Sequence, residues 1–573
     1  MMDLSLTASA VAAIREHARS TPDRTALIVV DDVEGAKGDQ CWSFAQLDAA
    51  ARRTGARLQA RHQAGDRVLL LYPTGFEFAA ALVGCLYAGM VAVPAPLPTR
   101  YAHERSRARR IAEDAMVSAV LTDAANRATV TEWAQSVGLT DLPLAATDGD
   151  PAADAEAWSP TELHHDTLAI IQYTSGAIGE PRGAMVSHGN LLHNVETQRR
   201  VYGLTAETRL GGWVPLHHAM GLVGHLLPAL LVGGGCVLMH PAAFIRRPHH
   251  WLRMIDKYDL YASAAPDFAF EMCRARVTDD QLAELDLSRW RIGVNAAERV
   301  HAETLEAFAK RFAPAGLRDD VVCPTYGLSE ATLLVSADPF REAVVTRVDE
   351  HGLEQQRFTP SDRGAGVVSC GRPRDVEVLI ADPSTGEALP PGTVGEIWVR
   401  GPSVCRGYWR DEVAAGPLSP ADGYVRTGDL GTLHEGELYV TGRTAELLAV
   451  DGRHLYPQEI ERTLRAQVPG LGIISAVFTV RQDGSASGNA LIVVSEVNGR
   501  PAEDRLRHLT DEITRTLDRE FGVRPSGTVL LRRGGVLRAT SGKVKRPAMR
   551  RLFLAGELDP VHTDCEPLTV AAS

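Results

Sequence analysis

YTSGAIGEPRGAM, Tyr173–Met185, is a glycine-rich turn that follows an apolar run, Thr167–Tyr173, and leads into a helix predicted to begin near Ser187. Gly176, Gly179 and Gly183 tolerate the dihedrals and close approach that let successive backbone N–H groups converge on an anion. Arg182 adds a cation where a phosphate could sit. The glycines alone are a weak signal, since most such turns are only turns. The stretch lacks the GK[ST] ending of a P-loop, so that phosphate-binding mode is excluded.

Outward from this turn, helical and strand patterns alternate. A helix around Ser9–His17 precedes a strand at Ala26–Val30. The helical run Phe44–Arg61 precedes Arg67–Leu71, and Gly75–Ala88 precedes Val91–Ala95. This alternation predicts an α/β fold of helices packed on largely parallel sheets. Asp123–Glu162 is polar, and part of it reads as surface connection. From about Gly364 the texture changes to short strands and turns (VEVLIAD, GEIWVRG, GELYVTG), a β-rich subdomain. Beyond Arg443 comes a small α+β unit: helix Pro457–Gln467, strands Ile473–Val480 and Ala490–Val497, and helix Ala502–Phe521. In the last, Leu506, Leu509, Ile513 and Leu517 share one face.

Bulk properties exclude several classes. A chain of 573 residues exceeds one ordinary core, so more than one domain is expected. With 45% hydrophobic and 23% charged residues the composition is that of a soluble globular protein, expected in the cytoplasm. The net charge of -12 is spread along the chain and argues against a nucleic-acid or anionic-membrane surface. The 8 cysteines form no CxxC pair, which disfavours zinc and a disulfide framework. Gly221–Met239 is the most apolar long stretch, but His225, Pro228 and three consecutive glycines make it a buried helix–turn–strand, and no membrane span is predicted.

Further segments place polar residues in apolar surroundings: WVPLHHAMGL (213–222), NAAERV (295–300), PTYGLSEATLLVS (324–336), VSCGRP (368–373), YVRTGDLG (424–431), YVTGRTAELLAVDGRHLYPQEIE (439–461) and TSGKVKR (540–546). Their order and spacing resemble the adenylate-forming superfamily of acyl-CoA synthetases, luciferases and peptide-synthetase adenylation domains, over about residues 10 to 550. YGLSEATLLVS, VSCGRP, GPSVCRGYW and DGRHLYPQEIE are most similar to its fatty acyl-AMP ligase branch. So is the extra stretch Asp338–Gly366, which in that branch is thought to hinder the rearrangement needed for CoA ligation.

The resemblance implies a large N-terminal domain of layered α/β sheets with a β-rich subdomain (1–441), a hinge (442–446) and a small mobile α+β lid (447–573) carrying Lys543. It implies ATP and Mg²⁺, activation of a fatty acid as acyl-AMP with release of pyrophosphate, and an acyl carrier protein as partner. Roles follow for individual residues. Tyr326 would offer a flat face to adenine, beside Ala296, Ala297, Glu298 and Gly327. The paired oxygens of Asp429 suit two ribose hydroxyls. Arg443 would add a cationic fork, and Glu330 would hold Mg²⁺, which prefers oxygen ligands. Thr174, Ser175, Gly176 and Arg182 would face the departing phosphates. Lys543 would bridge the carboxylate and α-phosphate, while His218 and Met220 would line the acid site. Five of these residues also have an ordinary reading: Lys543 as a solvated turn, Tyr326 and His218 as core, Asp429 as a turn or cap and Glu330 as an N-cap or a surface charge.

The sequence departs from the family pattern at several points. Ala177 and Ile178 stand where hydroxyl residues are usual, each lost contact to a charged oxygen being worth about 1.5–3 kcal/mol. Ala219 replaces a carboxylate in HHAMGL, Ala445 stands at the usual hinge position of GRTAE, and Asp451 stands where an Arg is common. Two alternatives therefore accompany the fatty acyl reading: a ligase for a small or aromatic acid or other oxyanion, and a nucleotide-binding protein with impaired catalysis.

Overall fold

The computed structural model describes residues 3–31, 33–34, 39–99, 102–149, 154–174, 182–410, 423–450, 453–481, 489–538 and 544–565. Two large sheets enclose the main helical core. The first has six strands, in the order Leu144–Ala146, Ala119–Thr122, Arg67–Leu70, Val91–Pro94, Leu168–Tyr173 and Gly183–Ser187. All neighbours are parallel except the last pair, where the chain leaves Tyr173 and returns antiparallel at Gly183.

The second sheet has nine strands. Six successive neighbours are parallel: Val322–Gly327, Ile292–Asn295, Ala262–Ala265, Arg209–Gly212, Gly235–Met239 and Thr25–Val30. Antiparallel strands flank them on both sides. The helices Phe44–Gln59, Phe76–Tyr87 and Leu227–Val232 pack between the sheets, with Leu47, Leu82, Leu86 and Leu230 wholly buried. Burial on both faces explains why these strands read as continuous apolar runs.

Helix His188–Tyr202 lies in the same core although its sequence is polar. Ser187 caps it, and its buried Asn190, Asn194, Glu196, Thr197 and Gln198 all find partners. A polar network of this kind ties the helix to its neighbours in one register. Gly221–Met239 is buried as expected, with one π-helical turn at Leu222–Leu226 before the helix and strand.

The β-rich subdomain is a four-stranded antiparallel meander, Glu377–Ala381, Gly395–Arg400, Val425–His434 and Glu437–Arg443. Asp338–Gly366 contributes strand Val345–Val348 and helix Glu350–Glu354, and the strand pairs antiparallel with Ala365–Val368. Its Val348, Leu353 and Phe358 are buried against Leu430 and Tyr439 of the meander, and Leu447 packs onto the same cluster.

The C-terminal unit is larger than the two strands and two helices expected. Strands Leu471–Arg481 and Asn489–Val497 are joined by Gly527–Leu531 and Pro560–Cys565 in one sheet, and helix Arg546–Ala555 is a third beside Pro457–Gln467 and Glu503–Phe521. PVHTDC is half-exposed and polar, so it carries no apolar alternation. The polar span 123–162 likewise contains helix Arg127–Ser136, anchored by fully buried Trp133, and strand Leu144–Ala146.

Candidate active site

One cavity of about 360 Å³ opens where the two sheets, the meander and helix His188–Tyr202 meet. Strand ends form it. Thr174 and Arg182 bound the glycine-rich turn, and the Thr174 N–H donates to the Arg182 carbonyl at 3.0 Å, which closes the turn's neck. Arg107, from helix Ala102–Asp114, donates to the Thr174 carbonyl at 2.8 Å. The Arg182 guanidinium lies 3.8 Å from the centre of the Tyr408 ring, and the Tyr408 hydroxyl donates to Glu330. Stacking leaves the guanidinium's edge able to make planar contacts with an anion.

Glu330 lies on the short turn Ser329–Ala331 that follows strand Val322–Gly327. Burial pushes its carboxyl above the usual range, offset only in part by the Tyr408 hydroxyl. The next residue but one, Thr332, has φ 68° and ψ -57°, and the Leu333 N–H donates back to the Ala331 carbonyl at 2.8 Å. That is a γ-turn of the rare, strained hand, unusual for a β-branched residue. It is held by the Thr332 hydroxyl, which donates to the Ser403 carbonyl at 2.6 Å. The turn brings Leu333 and Leu334 to the cavity wall. Ala297, also lining the cavity, has φ 71°, so two backbone outliers border this one site. Gly327 is obligatory here, because a Cβ would stand 2.1 Å from the Leu333 carbonyl oxygen.

Strands Val322–Gly327 and Val425–His434 bring Tyr326 and Asp429 together. The Tyr326 hydroxyl donates to Asp429 Oδ2 at 2.7 Å, and Arg443 Nε meets Oδ1 at 2.7 Å. Both Tyr326 and Asp429 are buried. The adjacent carboxylate holds the Arg443 guanidinium firmly charged, while burial, with Asp429 adding to it, raises the Tyr326 phenol. Thr325, Gly327, Thr427, Gly428 and Arg443 line the cavity directly; Tyr326 and Asp429, their buried neighbours in sequence, do not.

Of the other residues singled out from the sequence, His218, Met220, Ala296 and Ala297 line the cavity. His218 Nδ1 accepts from the Met220 N–H at 3.2 Å, capping the short helix Ala219–Gly221. Ala219 is on the cavity wall too, so the carboxylate absent there would have faced it. Beside it, burial drives His217 down to about 3, with His218 and Arg107 adding to the effect. Glu298 is not on the cavity wall; its Oε1 accepts from the Phe268 N–H at 2.7 Å. Ser175, Gly176, Ala177, Ile178, Asp451 and Lys543 lie outside the described residues, as does the side chain of Ala445. Tyr408, Gln198, Tyr202, Thr427 and Arg107 were not singled out. Tyr408 sits inside the quoted segment GPSVCRGYW, but nothing in VETQRR marks Gln198.

The C-terminal unit docks beside this cavity. Arg299 and Glu459 pair at 2.6 Å, and Arg462 and Glu303 at 2.8 Å, across the boundary. Lys545, two residues beyond Lys543, is half-buried; burial lowers its ammonium, and Arg107 beside the glycine-rich turn lowers it further. Arg546 pairs with Glu461 at 2.6 Å and Glu446 at 3.3 Å, tying the start of helix Arg546–Ala555 to the hinge segment.

The family model for AMP-binding enzymes matches residues 14–409. The chain belongs to the AMP-binding enzyme family. Within it, this member is 38% identical over 547 residues to the medium-chain-fatty-acid–[acyl-carrier-protein] ligase JamA of Moorena producens, covering 92% of each chain. It is 34% identical to the 4-hydroxyphenylalkanoate adenylyltransferase of Mycobacterium tuberculosis, over 95% of this chain and 91% of that one. Among solved structures of the family, the fatty acyl-adenylate ligase of L. pneumophila in complex with acyl adenylate and pyrophosphate superposes with a TM-score of 0.76 at 32% identity, covering 99% of both chains. No helix among the described residues is long and apolar enough to cross a membrane.

Proposed function

We propose that this AMP-binding enzyme is an ATP-dependent ligase that activates a fatty acid as acyl-AMP and passes the acyl group to a carrier-protein thiol. The observation that carries the reading is the knot of Tyr326 and Asp429 with Arg443, which lines the same cavity as Arg182 and Glu330. In the first step a carboxylate oxygen bonds to the α-phosphorus, the bond from that phosphorus to the bridging oxygen breaks, and pyrophosphate leaves. In the second, a thiol adds to the acyl carbonyl and AMP departs. Such displacements ask the protein for positioning and charge neutralisation rather than covalent chemistry.

The proposed parts are these. Asp429, held from both sides by Tyr326 and Arg443, would accept from the ribose hydroxyls. Arg182, braced on Tyr408, faces the departing phosphates. Lys543 enters from the lid to bridge carboxylate and α-phosphate. Glu330 fits Mg²⁺: it is a hard oxygen donor on the cavity wall whose charged form is strained by burial, which a divalent cation would relieve. The ion would neutralise the phosphate oxygens.

The lid is proposed to turn about residues 442–446, and Asp338–Gly366 to oppose that turn. Leu447, the first residue past the hinge, packs on the Leu353–Phe358 cluster of the insert, and the Tyr456 hydroxyl donates to Thr441 Oγ1 at 3.0 Å. Rotation must break these contacts and the two boundary ion pairs. The preferred acceptor is therefore a carrier protein rather than CoA.

The test is product analysis. ATP, Mg²⁺ and a panel of acids are incubated with the protein, then with a phosphopantetheinylated carrier protein or CoA. Mass spectrometry should find acyl-AMP and acyl-carrier protein. Acyl-CoA as the main product would contradict the acceptor assignment.

A further inference from the structure

Gln198 is only 2% exposed, yet it borders the cavity from helix His188–Tyr202. Its Nε2 donates to Asn194 Oδ1 and to the Val223 carbonyl, both at 3.0 Å, which uses both amide hydrogens. Asn194 is itself locked: its Nδ2 donates to the Ala331 and Leu334 carbonyls at 3.2 and 3.1 Å, and its Oδ1 accepts from the Leu334 N–H at 3.2 Å. Turning the Gln198 amide over would set Oε1 against two acceptors, so its orientation is fixed.

Oε1 is then left with no donor among the described residues. It is also absent from the side-chain atoms that are sealed in packed protein without a partner. The cavity it borders is lined by apolar Gly224, Val294, Leu333 and Leu334 as well as by polar Tyr202, His218 and Thr325. An acceptor held open to the cavity by a network that cannot rearrange is a recognition element for a donor.

We infer that the tail of the acid carries a hydroxyl, phenolic or terminal, and that this hydroxyl donates to Gln198 Oε1. The inference rests on the ligase reading above. It adds a specificity-determining residue and narrows the acid to a hydroxylated one. A plain hydrocarbon tail would displace water from Oε1 and leave it unpaired, so such acids are discriminated against.

Matched acids test this with the unmodified protein. Pyrophosphate release is measured with 4-hydroxyphenyl-, 4-methoxyphenyl- and phenylalkanoates of equal chain length, and with terminally hydroxylated and plain alkanoates. Hydroxyl acids should exceed both the unsubstituted and the methoxy acids by roughly tenfold or more in kcat/KM, since the ether accepts but cannot donate. In Gln198→Leu that preference should shrink to within about twofold with plain acids still turned over. If that variant does not fold, the series on the unmodified protein decides alone. Equal or better turnover of the plain acids overturns the inference while leaving the ligase standing. No release with any acid overturns the ligase reading and the inference together.

Discussion

The Tyr326 hydroxyl donates to Asp429 Oδ2 at 2.7 Å, joining residues 103 apart in sequence across the seam between the second sheet and the meander. With Arg443 on the other carboxylate oxygen, Asp429 is fixed in orientation from both sides. Asp429→Asn keeps an acceptor for Tyr326 but halves the acceptor set offered to a ribose. Steady-state kinetics should show the KM for ATP raised roughly 10- to 100-fold, from about 1.5–3 kcal/mol of lost charged hydrogen bonding, with the KM for the acid little changed. An unchanged ATP KM would remove Asp429 from the nucleotide site.

Glu330 links activity to stability. Burial places its folded pKa above the unfolded value, so the native state binds the extra proton and stability falls as pH rises through that interval. At neutral pH this raised, partly buried carboxyl is thus a net cost to the nucleotide-free protein. Glu330→Gln should raise the melting temperature at pH 7, lose that advantage below about pH 4, and cut adenylation by on the order of a hundredfold. A lower melting temperature at pH 7 would show that Glu330 instead stabilises the fold.

How far the sequence foretold these relationships depends on range. Strand and helix positions in the first 95 residues, and helix Pro457–Gln467, follow from local apolar period and agree with the structure to within a few residues. The cluster Tyr326–Asp429–Arg443 was legible only through the family's ordered motifs, since no local pattern pairs residues so distant. The γ-turn at Thr332 and the exposed amide oxygen of Gln198 were not legible at all. Both arise from long-range hydrogen bonds, to Ser403 and to Val223, that no window along the chain contains. Strand Pro560–Cys565 was missed because its edge position leaves its alternate residues unburied.

The insert Asp338–Gly366 should act as a restraint on the lid. Phe358 is 3% exposed, its ring 4.7 Å from that of Tyr439. Phe358→Ala should loosen the cluster that receives Leu447, at a cost of about 3 kcal/mol. The expected outcome is measurable acyl-CoA formation, by mass spectrometry, with adenylation kept within about threefold. Strict failure to use CoA in a folded variant would show that the restraint lies elsewhere.

Gly327 should tolerate no side chain. Gly327→Ala sets a Cβ 2.1 Å from the Leu333 oxygen and must displace the strained turn that positions Leu333 and Leu334. Loss of turnover with a folded circular-dichroism spectrum is expected, by roughly a hundredfold or more. Normal kinetics would mean that the turn's geometry does not matter to the site.

The most direct test of the central claim is ATP–pyrophosphate exchange by the unmodified protein and Lys543→Ala across hydroxylated and plain fatty acids. Exchange that depends on both acid and Mg²⁺, and falls at least about a hundredfold in the variant, is predicted. Exchange that is absent with every acid, or undiminished without Lys543, would contradict the account.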